Sequence, residues 1–138
     1  MGDNIEILRI ENTDSQFYVL IGPFLSKRCV VKELGYAVWD DDEKIWFVSV
    51  LNGEAIGFVA AVESKGKVIF CSDYVVPGRR NAGNYKRLFK KRLDYYRCKS
   101  ISATVTASSL KVYTVNGFTE KRRRGKYIVV ERAADVNG

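Results

Sequence analysis

The chain predicts a mixed α+β domain in which helices pack on the faces of a sheet, an α/β sandwich in the broad sense. Three observations carry that prediction. Asn52-Gly53 and Arg124-Gly125 each sit between runs suited to strands, the mark of antiparallel hairpins. Tyr85, Leu88, Phe89, Arg92, Leu93 and Tyr96 recur at helical spacing and define one face of a helix. The patterns follow one another as β, α, β-β-β, α, β, α, β-β, and 138 residues leave room for one core, residues 1–138 forming a single domain.

Ile5–Ile10 alternates in part and reads as the first strand. The cluster Asn12, Thr13, Asp14 and Ser15 suits a turn and a helix N-cap. Residues 16–34 are apolar at helical spacing, with Gly22-Pro23 expected to break or kink the segment into one interrupted helix or two short ones and Gly35 to stop it. An exposed acidic turn follows at 40–43. Residues 45–51 and 55–62 form the hairpin around Asn52-Gly53, and a second turn at 64–67 leads to a strand over 68–76 that ends at Pro77. Beyond the helix over 85–96, residues 101–105 read as a buried strand and 108–115 as a short helix that Asn116-Gly117 stops. Residues 118–122 and 126–132 make the last hairpin, and 133–138 a frayed tail.

Composition narrows the chemistry. With 46% hydrophobic and 12% aromatic residues the chain can fold without disulfides or a structural metal. No apolar run is long enough for a membrane span and the N-terminus lacks a signal-peptide layout, so a soluble, cytoplasmic protein with no membrane partner is expected. Cys29, Cys71 and Cys98 show no metal-binding spacing and read as buried free thiols. There is no histidine, which removes the commonest general base and most zinc sites. Catalysis must then use carboxylate, tyrosine, thiol or water. A net charge of +7 favours an anionic partner, whether a phosphate-rich cofactor, a nucleic acid or an acidic protein.

The stretch from Val75 to Tyr85 holds the most specific signal. Pro77 ends a strand, Gly83 permits close backbone approach, and Arg79, Arg80 and Lys86 add positive charge just before a helix. Free N–H groups and the positive helix end make such a loop an anion site. The pattern is neither a Walker A sequence nor GxGxxG.

Val75-Val76-Pro77 followed by Arg80-Asn81-Ala82-Gly83-Asn84-Tyr85 resembles the signature of the GNAT superfamily of acyl-CoA-dependent N-acyltransferases, a V-x-P strand end followed by R-x-x-G-x-G/A. Asn81 and Tyr85 depart from the small residues usual there. A second block, Ser109-Leu110-Lys111-Val112-Tyr113-Thr114-Val115-Asn116-Gly117-Phe118, is similar to the family's S/A-x-x-x-Y-x-x-x-G-F, with Thr106 where an asparagine is frequent. The resemblance implies a mixed, mostly antiparallel central sheet of six to seven strands, helices on both faces, and strands 4 and 5 splayed apart.

It also implies acetyl-CoA, or another acyl-CoA, as cofactor. Arg79, Arg80, Asn81, Ala82, Gly83, Asn84 and Tyr85 would hold the pyrophosphate, Tyr74, Val75 and Val76 the pantetheine, and Ser109 would contribute from the second block. Tyr113 matches the family's tyrosine acid, which protonates the departing thiolate. Asp73 is the first candidate for general base, Glu63 the second, and a water relay a third. No metal is implied. The expected activity is acetyl transfer to a primary amine of a small molecule or a protein, by a monomer or homodimer. Two alternatives share the fold: a nucleic-acid-modifying enzyme resembling phage Mom proteins, and a degenerate domain kept as a basic binding module. The basic residues Lys86, Arg87, Lys90, Lys91, Arg97, Lys99 and Lys121 to Arg124 keep nucleic acid open as a partner.

Overall fold

A computed structural model describes residues 5–25, 27, 32, 34, 44–80 and 83–135. The strands are β1 (Ile5–Ile10), β2 (Lys44–Leu51), β3 (Glu54–Ser64), β4 (Lys67–Val75), β5 (Ser100–Val105), β6 (Thr119–Arg124) and β7 (Tyr127–Arg132). The helices are α1 (Phe17–Leu20), α2 (Asn84–Tyr96) and α3 (Ala107–Thr114), with 3-10 turns at Gly22–Phe24 and Pro77–Arg79. One sheet holds all seven strands in the order β1-β2-β3-β4-β5-β7-β6, antiparallel except where β4 meets β5.

Local turn chemistry sets most of this. Asn52 and Gly53 both adopt positive φ, as do Lys65 and Gly66, the backbone a type I′ hairpin needs. Gly125 alone is positive at the last turn, as a type II′ turn allows. The sheet divides two cores. On one face Val59, Phe70, Val75 and Val130 pack under Leu88, Phe89 and Leu93 of α2 and Tyr113 of α3. On the other, Trp46, Val48, Phe58 and Tyr74 pack against Phe17 and Leu20 of α1 and against Phe24.

Two features position the site. Pairing of β4 with β5 stops at Phe70 and Ala103, although β4 runs on to Val75. The strands therefore part over Cys71 to Val75. Second, Phe58 pairs with Tyr74 but Ala60 with Cys71, so β4 carries one extra residue there. Ser72, at φ 58°, takes up the surplus. Because side chains alternate faces, that insertion returns Asp73 to the α2 face, which it would otherwise miss.

Several expectations change. Of the interrupted helix or two short helices foreseen over 16–34, α1 is one short turn followed by the 3-10 turn that holds Pro23, and Lys32 and Leu34 are helical; the rest of 26–34 apart from Lys27, with Cys29, Gly35 and the acidic turn at 40–43, lies outside the described residues. Gln16 rather than the Asn12 to Ser15 cluster caps α1, without a side-chain bond; the Asp14 carboxylate instead accepts the Glu11 N–H at 2.7 Å. Cys98 is exposed, not buried. The tail is tied as far as Asp135, whose N–H donates to the Arg97 carbonyl at 2.9 Å and whose carboxylate meets Arg132 at 3.1 Å. Among the described residues, no helix is long and apolar enough to cross a membrane.

Candidate active site

The parted strands open two clefts. One, of about 740 Å³, is lined by Tyr74, Val75, Arg80, Gly83, Tyr85 and Lys86. The other, of about 410 Å³, takes its wall from Phe70 to Asp73, from Thr104 to Thr106, and from Tyr113 and Tyr127. They share Asp73, Ser108 and Ser109, and so meet at one junction.

The larger cleft begins at the N-terminus of α2. Gly83 caps that helix in the left-handed conformation (φ 82°), and a Cβ there would lie 3.1 Å from the Arg87 guanidinium. The positive φ favours glycine there, while the exposed Arg87 side chain could swing aside. The amides of the first turn find no partner inside the helix. The Arg80 Nε donates to the Val75 carbonyl at 2.8 Å, and the Asn84 side-chain amide donates to the Arg79 carbonyl at 2.9 Å, closing the loop on itself. Asn81 and Ala82, expected in the same loop, lie outside the described residues. The Val76 N–H donates to Ile56 on β3 at 2.9 Å. By antiparallel alternation Tyr74 also turns its backbone to β3, which leaves the backbone of Val75 facing the gap.

At the junction, α2 delivers two side chains to Asp73 and α3 a third. Arg92, fully buried, donates from its two terminal nitrogens to Oδ1 at 2.6 Å and Oδ2 at 2.9 Å, and also to the Ala60 carbonyl at 3.0 Å. The Tyr85 hydroxyl donates to Oδ2 at 2.5 Å and the Tyr113 hydroxyl to the same oxygen at 2.8 Å. Arg92 also reaches the Tyr113 oxygen at 3.3 Å. Between Tyr85 and Arg92 on the same helical face, Phe89 packs edge-on to the Tyr113 ring at 4.8 Å.

Both phenols are held protonated well above the usual tyrosine range, first by burial and then by the Asp73 charge. Burial also raises the Cys71 thiol. Tyr113 owes its position to the end of α3. There Gly117, at φ 91°, turns the chain so that the Phe118 N–H returns to the Tyr113 carbonyl at 3.1 Å, and Phe118 packs on the Tyr113 ring at 5.0 Å.

Tyr113, Asp73, Tyr85 and Ser109 thus converge, while Glu63 does not. Glu63 pairs with Val68, five residues back along β4 from Asp73, which is about 16 Å at strand rise. Its carboxylate instead meets Lys99 at 2.9 Å, half-exposed at the other end of the sheet. Arg92 went unnoticed as a site residue in the sequence. The available signal was an arginine on an otherwise apolar helical face.

No protein-family model matches the sequence and no curated protein matches it at a significant level. Solved structures do. Escherichia coli ElaA is similar at a TM-score of 0.75 and 18% identity, covering 94% of this chain and 99% of that one. The ribosomal-protein-S18-alanine N-acetyltransferase of the same organism matches at 0.72 and 16%, over 98% and 97%. A GNAT-family acetyltransferase from Elizabethkingia anophelis with acetyl-CoA bound matches at 0.66 and 15%, over 96% and 99%. At such identities the likeness is one of fold, and the fold is the GNAT fold.

Proposed function

We propose that this chain, built on the GNAT fold, is an acyl-CoA-dependent N-acyltransferase, with acetyl-CoA the expected donor and a primary amine the acceptor. The observation that carries the reading is the parting of β4 and β5 beyond Phe70 and Ala103, which joins an anion-binding helix end to a buried tyrosine.

The donor fits the larger cleft in chemistry. First-turn amides of α2, together with Arg80 and Lys86, suit a pyrophosphate, and the Val75 N–H, its carbonyl being held by Arg80, suits a carbonyl of a pantetheine arm. When bound, the thioester supplies an activated acyl carbon and a thiolate leaving group. Tyr113 remains protonated through the neutral range; to act as the acid its hydroxyl would turn from Asp73 Oδ2 to that thiolate, with Arg92 at 3.3 Å stabilising the phenolate that is left.

Asp73 serves here as an anchor rather than as the base. Its two oxygens already accept four hydrogen bonds, two of them from a buried guanidinium. Glu63 is remote and takes no part. Among the described candidates this leaves a water relay to take the proton of the acceptor amine.

Two measurements test the reading. Calorimetric titration with CoA should show binding, and the absence of heat at millimolar CoA would sink the proposal. Tyr113→Phe should then turn over about 10²-fold more slowly with CoA affinity unchanged. A variant as fast as the unaltered chain would remove Tyr113 as the acid.

A further inference from the structure

Beside the smaller cleft, the β6–β7 hairpin carries two arginines near its tip. Tyr127, which lines the cleft, is the first residue of β7 and pairs with Arg124 across the hairpin, while Val129 pairs with Arg122. Ile128 and Val130, between and beyond them, point into the α2-side core. Alternation therefore turns Arg122, Arg124 and Tyr127 to the other face, on which Cys71 lies at the cleft wall. The two arginines stand about 7 Å apart along one strand. Both are exposed, and among the described residues neither carries an ion pair; the pair at this hairpin, Arg123 to Glu120, lies on the opposite face. Lys126, at the tip, sits over the Tyr127 ring at 5.4 Å.

Among the described residues of its wall, Asp73 is the one that carries a charge, and Arg92 already meets that charge. Hydroxyls of Thr104, Thr106, Ser108, Ser109 and Tyr127 account for much of the rest. Among the described residues a cationic acceptor would gain no unpaired carboxylate, and it would meet two arginines on the adjoining hairpin. An anion would gain planar, paired N–H donors that match a phosphate.

We infer that the acceptor is a small amine carried on a phosphate-bearing molecule, its phosphate gripped by Arg122 and Arg124 while the amine reaches through the smaller cleft to the junction at Tyr113. This inference rests on the acyltransferase reading.

The test uses two probes with the same chain and the same amine, aminohexyl phosphate and aminohexanol, titrated calorimetrically into the protein with and without saturating CoA. The phosphate ester should bind roughly tenfold or more tightly than the alcohol, the scale of hydrogen bonds to a charged group. Arg122→Gln/Arg124→Gln should abolish that preference and leave CoA affinity and melting temperature unchanged. If CoA binds but the two probes bind alike, or bind not at all, the inference falls while the acyltransferase reading stands. If CoA gives no heat, it is that reading which falls, and the anion-grip assignment to this active site with it. A third outcome is steeply salt-dependent binding of a single-stranded oligonucleotide, lost in the double variant, with no preference between the probes. It would assign the arginines to a nucleic-acid surface and overturn the small-anion inference.

Discussion

Removing a guanidinium from water costs several kcal/mol, and Arg92 is fully buried between the rings of Phe70 and Phe89. The bidentate contact with Asp73 is what offsets that cost. Replacing Asp73 by Asn should therefore destabilise the chain by about 3–5 kcal/mol, because it leaves a buried charge without its counterion. Urea unfolding would show it, and Asp73→Asn/Arg92→Met should recover most of the loss; a single variant with an unchanged midpoint would mean the pair is not buried in solution. Tyr113 and Asp73 were legible in the sequence, one by its motif and the other by its place on a strand. Arg92 was visible only as part of an apolar stripe, since its meaning depends on a carboxylate 19 residues away. Tyr85 stood out as a bulky residue where a small one is usual. Nothing in its neighbours revealed that its hydroxyl ends on Asp73.

At the scale of elements, α2 lies close on β3 and β4. A Cβ on Gly57 would come within 3.1 Å of the Tyr74 carbonyl oxygen and of Val75, and 3.3 Å of Leu88 on α2. Backbone cannot yield as a flexible side chain can. Gly57→Ala should cost about 1–3 kcal/mol in thermal or urea unfolding, the usual penalty for overpacking, and an unchanged stability would mean that the helix rides higher than described. The hairpins were legible because each depends on two or three adjacent residues, Asn52-Gly53 above all. The bulge at Ser72 was not. It exists only as a mismatch between two strands, and the residue that absorbs it carries no glycine to advertise a positive φ. The end of β4–β5 pairing is equally non-local, and only the family resemblance pointed to it.

For the molecule as a whole, three buried phenols link stability to pH. Burial and neighbouring charge hold Tyr85 and Tyr113 well above the ordinary value, and burial followed by its neighbours pushes Tyr96 up to about 12. The folded chain thus keeps protons that the unfolded chain releases near pH 10. Their contribution is fully present below that pH and is lost as pH rises through the folded values. Melting temperature should accordingly fall from about pH 10 up to about pH 12, and Tyr85→Phe/Tyr113→Phe should flatten the fall; identical slopes would show that these phenols titrate normally. The charge excess read from composition does gather on the structure, at the N-terminal end of α2 and on the β6–β7 hairpin. Composition alone gives no sign that the two groups flank different clefts.

The shared wall of those clefts has a kinetic consequence. Since Asp73, Ser108 and Ser109 belong to both, a donor held in one cleft and an acceptor in the other would meet at that junction. An acyl group would then pass hand to hand inside a ternary complex, by a sequential mechanism. The chain would need no covalent stopover, and the Cys71 thiol, kept protonated by burial, would stay a spectator.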